Sequence, residues 1–286
     1  MANLKEIRNR ITSIGSTMQI TKAMKMVSAA KLKKAQDAIT AMRPYAEKLT
    51  QLLQSLSATL DSDAGGSFST QRDVNKVLLV IITSNRGLCG GFNSSIVKET
   101  IKNIEDNYAD KTVELLTIGK KGDAILAKTY KVIENRDTIF DDLTFDNVAK
   151  VADKLMDVFA DGSYDKIEII YNQFKNAATQ LPQVEQFLPI KPVENVSTSN
   201  VDYVFEPSKE EIVMALIPKS LKTQLYKAVR DSFASEHGAR MTAMHKATDN
   251  ATELRDDLLL TYNKARQAAI TNEILEIVGG AEALKN

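Results

Sequence analysis

The chain is predicted to be α/β: a long antiparallel two-helix coiled coil formed by its N- and C-terminal segments, with a doubly wound α/β domain inserted between them. Three observations predict this. Between residues 2 and 59 the only glycine is Gly15 and the only proline is Pro44; between 219 and 278 there is no proline, and Gly238 is the only glycine. At 1.5 Å per residue each segment reaches roughly 80–90 Å as a helix, several times the usual length. A chain of 286 residues has no room inside one globule for two such rods, so their apolar stripes must bury against each other or a partner. The middle instead alternates short β-branched runs with helical stretches, as a sheet with helices on its faces does. The expected segments are a first rod helix over 1–60, an α/β domain over 70–207 and a second rod helix over 208–286.

In the first rod Ile7, Ile11, Ile14 and Met18 step by four and three, the spacing of a two-stranded seam. The stripe resumes at Ala35, Ala38, Met42, Tyr45, Leu49, Leu52 and Leu56, after a patch of small residues and methionines at Ala23, Met24, Met26, Val27, Ala29 and Ala30. Pro44 removes one helical hydrogen bond and predicts a kink. In the last rod Met244, Ala247, Ala251, Leu254, Leu258, Tyr262, Ala265 and Ala269 step in the same way. Ile270, Ile274, Ile277 and Val278 continue an apolar face, and Gly279-Gly280 predict the stop. In the middle, 76–83, 113–118 and 166–171 read as first, second and third strands, with edge strands at 183–190 and 202–205. Helices are expected over about 94–108 and 145–159, and loop and helix over 119–130.

Charge is zero overall but unevenly spread: residues 1–60 carry ten Lys or Arg against Glu6, Asp37 and Glu47, a net of +7. A basic rod suggests an acidic partner. The single cysteine, Cys89, excludes an intrachain disulfide and fits a reducing compartment. No apolar run approaches membrane-spanning length, and the start of the chain lacks the apolar core of a signal peptide.

The loop 84–93, Ser-Asn-Arg-Gly-Leu-Cys-Gly-Gly-Phe-Asn, follows the first strand and precedes a helix, where α/β domains hold phosphates. A P-loop requires Lys then Ser or Thr after its last glycine, and here Phe92 and Asn93 follow; the dinucleotide spacing fails as well. A structural tight turn is the better account. The basic turn Gly119-Lys120-Lys121-Gly122 fits a helix cap better than an anion site. Cys89 has no histidine nearby in sequence to activate it. His237 and His245 share a helix face without a third ligand, which places them at solvent or seam positions, not at a metal. No catalytic set, cofactor or metal is expected.

Three stretches carry a resemblance. The run 20–31, Ile-Thr-Lys-Ala-Met-Lys-Met-Val-Ser-Ala-Ala-Lys, the loop 86–93, and the tail runs 236–244, 247–251 and 262–271 closely resemble the gamma subunits of F-type ATP synthases, of the bacterial type. The likeness keeps its order along the whole chain. It implies a non-catalytic central-stalk rotor, whose terminal helices form the axle inside a ring of three alpha and three beta subunits. Its α/β domain is then the foot, beside the epsilon subunit and on the ring of c subunits, at the cytoplasmic side of the cell membrane. Proton-driven rotation would thereby be coupled to ATP synthesis and hydrolysis in that ring.

By the same resemblance Met24 stands where beta's acidic lever meets the axle, with Lys25 beside it. Arg240, Arg266, Gln267, Thr271 and Glu276 match positions of contact with beta and energy coupling. Arg266 and Gln267 look like the pair that reaches a loop of beta, where a guanidinium and an amide can bond a carboxylate. Thr271 and Glu276 fit a merely solvated helix face equally well. Tyr203 and Phe205 resemble a foot strand near the c ring. Asn85 departs from the aspartate common before this loop, and the paired-cysteine insertion of chloroplast relatives is absent. Two other classes fit parts of the sequence: a coiled-coil scaffold bearing an α/β module, and a nucleotide-dependent α/β enzyme with helical arms. The scaffold leaves the ordered motifs unexplained, and the enzyme would bind nucleotide through Gly90 and Gly91.

Overall fold

The computed structural model describes residues 4–57, 68–190 and 209–283. Two terminal helices, α1 (Leu4–Ser57) and α5 (Lys209–Ala283), enclose a five-stranded sheet domain in sequence. Between them run β1 (Lys76–Ile82), α2 (Phe92–Asn107), β2 (Thr112–Ile118), α3 (Lys120–Leu126), β3 (Lys131–Asn135), α4 (Phe145–Ala160), β4 (Lys166–Phe174) and β5 (Gln180–Leu188). The chain divides into two compact units, Met1–Ser28 with Met241–Asn286, and Ala29–Arg240.

In the second unit the strand order is β3-β2-β1-β4-β5. The first four strands are parallel, and β5 returns antiparallel along β4. β1 is apolar along nearly its whole length because it is the central strand and covered on both faces. Leu78, Val80 and Ile82 face a core built with α4 residues Val148, Val151, Ala152, Leu155 and Phe159 and with Leu221, Leu225 and Val229 of α5. Val77, Leu79 and Ile81 face the opposite core, with Ile96, Val97 and Ile104 of α2 and Leu126 of α3. Each fully buried Val, Leu, Ile or Phe among them stabilises the unit by roughly 1.5–3 kcal/mol.

The structure differs from the sequence expectations in particular places. The third strand in chain order is β3, at residues 131–135, and the run at 166 is the fourth. With the sequence Lys-Val-Ile-Glu-Asn, β3 is an edge strand whose charges reach solvent, and its apolar signal is too short to stand out. β5 starts at Gln180 and contains Pro182, which an edge strand tolerates because one side of its ladder is unpaired. The stop expected at Gly279-Gly280 does not occur: α5 runs through both glycines to Ala283. A glycine costs a helix about 1 kcal/mol, which weakens it without ending it. The expected strand at 202–205 lies outside the described residues.

Candidate functional surface

Two features bear on function, and each lies within one unit. In the first unit α1 and α5 form the heptad seam. Ile7, Thr21 and Ser28 are buried on α1, with Ile11, Ile14, Met18 and Lys25 half-buried between them. On α5 the seam runs through Met244, Thr248, Ala251, Arg255, Leu258, Tyr262, Ala265 and Ala269, stepping four and three throughout. Leu254, expected in the stripe, is 52% exposed, and the stem of Arg255 takes the seam position instead. Long charged side chains cover apolar surface in this way while their heads stay wet. Tyr45 of α1, likewise expected on the stripe, points outward.

A polar contact crosses the seam. The Thr248 hydroxyl lies 2.8 Å from the Thr21 hydroxyl and 2.8 Å from the Met244 carbonyl, and Thr21 donates back to the Met18 carbonyl at 3.1 Å. The bond belongs to the observed register, since a slip of one heptad would set Thr21 opposite Met241 or Arg255 instead of Thr248. Thr248→Val is expected to lower the stability of the helix pair by about 1 kcal/mol. The midpoint of its thermal unfolding checks this, and an unchanged midpoint would remove Thr248 from the register argument.

Of the residues singled out from the sequence, Met24 and Lys25 are half-buried, while Arg266, Gln267, Thr271 and Glu276 are exposed. The Thr271 hydroxyl donates to its own helix at the Gln267 carbonyl, 2.9 Å away. Neither Arg266 nor Glu276 makes a side-chain bond among the described residues, which leaves a guanidinium and a carboxylate open to solvent or to a partner. From Ile270 to Glu282 every residue is exposed, with Ile274, Leu275, Ile277 and Val278 all more than half so. Ile20, Met26 and Val27 of α1 are also exposed apolar residues. Tyr203 and Phe205 lie outside the described residues.

Arg240 differs from the rest, since it is buried in the second unit and its guanidinium faces inward. It is paired with Glu236 at 2.5 Å and donates to the backbone carbonyls of Arg86 and Gly87 at 3.0 and 3.2 Å. The Gly-rich loop it touches is knitted by its own side chains. Ser84 donates its amide to Asn93 Oδ1 at 3.0 Å, and Asn93 Nδ2 reaches Ser84 Oγ and Cys89 Sγ at 2.8 and 3.2 Å. Cys89 packs with Phe92 and Ala239, and burial pushes its thiol pKa up. The loop is thus held by hydrogen bonds among its own side chains and backbone. Asn85 donates to the Asp137 carbonyl and accepts from the Lys120 amide, at 2.9 and 3.1 Å. An aspartate could supply only the acceptor half of that bridge.

The two histidines part company. His245 is exposed and lies 3.2 Å from Asp249. His237 is buried against the Phe233 ring edge, and both of its ring nitrogens lack partners among the described residues. The sequence pattern also missed two buried carboxylates. Glu114 is held by Lys131 at 2.7 Å and by the Tyr164 hydroxyl at 2.5 Å, which keep its pKa below the usual carboxylate range. Glu168 is held by Lys166 and Asn103, at 2.8 and 3.0 Å. Both are tied into the sheet by these partners, an arrangement that fits structure and not proton transfer. Among the described residues no three His, Cys, Asp or Glu side chains converge as a metal site.

A family model described as ATP synthase matches residues 3–284. The chain is 74% identical over 286 residues to the ATP synthase gamma chain of Flavobacterium psychrophilum, covering 100% of both chains. The chain belongs to the ATP synthase gamma-chain family. The gamma chain of Geobacter sp. strain M21 is 45% identical over 287 residues, again covering 100% of both. Among solved structures, the central stalk and c-ring of Tetrahymena thermophila mitochondrial ATP synthase matches with TM-score 0.60 at 28% identity, over 80% of this chain and 99% of that one. The rotor of the Euglena gracilis enzyme shares the fold, with TM-score 0.66 at 22% identity over 93% and 98%. As a gamma chain, the protein is the non-catalytic central-stalk rotor subunit of its complex. No described helix is long and apolar enough to cross a membrane.

Proposed function

We propose that this gamma chain couples rotation to nucleotide affinity by presenting chemically different sides of its helix pair to an alpha/beta ring. In this reading the segments 1–60 and 208–286 are the axle. The segment 70–207 is the foot beside epsilon and the c ring, peripheral to the cytoplasmic face of the cell membrane. The observation that carries it is the exposed stretch from Ile270 to Glu282, where large apolar residues share one helix with Glu276, which has no partner among the described residues. A solitary coiled-coil scaffold gains nothing from that exposure, whereas a rotor needs a surface that a sleeve of other subunits can surround.

The ring's three catalytic sites are identical in sequence, so any difference among them must come from which side of the rotor each meets. A ligand shifts an equilibrium only by its differential affinity for the states, and the rotor acts here as that ligand. Arg266 and Gln267 supply a fork of donors for a carboxylate, and Thr271 and Glu276 extend the same contact surface by about one and three turns. Met24, half-buried beside Lys25, offers a polarizable apolar contact that holds no neighbour tightly.

Met24→Lys tests this in the assembled complex in proton-tight vesicles. The added cation anchors the rotor to acidic groups of the ring at one angular position. ATP synthesis is expected to fall roughly 5- to 100-fold relative to hydrolysis, the span of an ordinary coupling free energy. Assembly should survive. An unchanged ratio of synthesis to hydrolysis would remove Met24 from the coupling surface.

A further inference from the structure

We propose that Arg240 is an internal clamp, a positioning residue that fastens the Gly-rich loop to α5, and that its part in coupling runs through this loop instead of through direct contact with a neighbouring subunit. The second half rests on the rotor reading above; the first does not. The geometry uses the guanidinium as a fork. One arm is neutralised by Glu236, a turn earlier on the same helix, and the other bridges two successive carbonyls, those of Arg86 and Gly87. Arg240 and Glu236 are both only 7% exposed, so an outside carboxylate has little access to the guanidinium while the loop is in place.

The loop requires such a hold. Immediately after the two gripped carbonyls, Leu88 adopts φ 62°, in the left-handed region, and its side chain is 66% exposed. A branched side chain in that conformation costs about 1–3 kcal/mol, and it persists only where its surroundings over-determine it. Ser84 and Asn93 brace the loop from its ends, with Ser84 Oγ on the Arg86 carbonyl at 2.7 Å. Arg240 is its brace from α5. Beneath the gripped turn lies Cys89, 2% exposed and packed on Ala239, the residue before Arg240. Opening the clamp therefore uncovers the thiol. A lysine cannot replace the fork, because a single ammonium cannot span Glu236 and two carbonyls in one plane.

Cys89 is the only cysteine of the chain, so its alkylation by a maleimide reports the clamp without ambiguity. The rate is measured on the full chain, and again in the assembled complex by mass spectrometry of the Cys89 peptide. Arg240→Lys is expected to raise it by about tenfold or more, and Glu236→Gln by a smaller factor, as local opening becomes easier. The ratio of ATP synthesis to hydrolysis should fall in the same order. If Arg240→Lys lowers that ratio while Cys89 reacts at the wild-type rate, Arg240 acts on a neighbouring subunit and the clamp is wrong. Faster alkylation with normal coupling in both variants would overturn the coupling half. Loss of folding in both would also overturn the proposal, since a clamp on one loop leaves the sheet standing. If the unaltered chain fails to join alpha and beta, the rotor reading fails, and the thiol rates still decide the clamp.

Discussion

Gly119→Val is expected to lower the stability of the folded chain by about 4 kcal/mol. Gly119 caps the N-terminus of α3 at φ 118°, a backbone conformation that side chains rarely adopt. A Cβ there would sit 2.2 Å from the Thr83 carbonyl oxygen and 2.7 Å from its carbon. Both are backbone atoms at the end of β1, the central strand, so no rotamer change relieves the overlap. Thr83 is itself fixed, with its amide on the Ile118 carbonyl at 2.8 Å and its hydroxyl accepting from the Gly122 amide at 2.9 Å. Backbone strain and forced overpacking each cost about 1–3 kcal/mol, so a loss on the order of 4 kcal/mol follows. That is a large share of the 5–15 kcal/mol typical of a whole domain. Gly87→Ala is the control: its Cβ meets only Lys121 Cε, at an ordinary 3.8 Å, and a change within about 0.5 kcal/mol is expected. Urea midpoints of the two variants settle the comparison. Equal midpoints would mean that the β1–α3 turn yields more readily than its backbone contacts imply.

The same turn shows what the sequence revealed and what it withheld. Gly119 was legible as a helix cap because a glycine before a short amphipathic stretch has few other uses. Its overlap with Thr83 was not, since the two are brought together only by strand pairing. The terminal helices were legible because their apolar steps repeat over many turns, and proline and glycine are nearly absent. Which residue of a helix turn enters the seam was less so. Leu254 is more apolar than Arg255, yet the four-then-three count from Met244 puts 255 on the seam, and packing follows the count. The edge strand β3 escaped because its alternation spans too few residues.

Of the candidate site, the exposed Arg266, Gln267, Thr271 and Glu276 follow from a resemblance between sequences, and the structure adds that they are open. Glu236 and Arg240 stand four apart on a helix, a spacing that signals a pair. Nothing in the sequence placed the carbonyls of Arg86 and Gly87 against that pair, because more than 150 residues of chain lie between.

His237→Leu is expected to leave the chain as stable as before, or more so, at pH 7, and to make it markedly more resistant to acid. Burial, reinforced by the positive charges of Arg240 and Lys31, pushes the His237 pKa down to about 3 from its ordinary 6.5. The unfolded chain therefore takes up a proton below pH 6.5 that the folded chain refuses until about pH 3. Stability from this group is complete above 6.5 and falls as the pH drops through that window, by at most about 1.4 kcal/mol per pH unit. Leucine fills the same space against Phe233 and has no proton to refuse. It also removes two buried ring nitrogens that lack partners among the described residues, so at pH 7 no hydrogen bond is lost. Glu236 works in the opposite direction: burial raises its carboxyl pKa, against the pull of Arg240, so the folded chain takes its proton first and gains stability as it does. Comparison of the variant with the parent cancels that contribution, which both chains share. Between pH 7 and 5 the parent should lose about 2 kcal/mol more than the variant. Parallel losses in urea unfolding at the two pH values would mean that water or a protein group already satisfies the His237 ring, and that acid lability in this chain arises elsewhere.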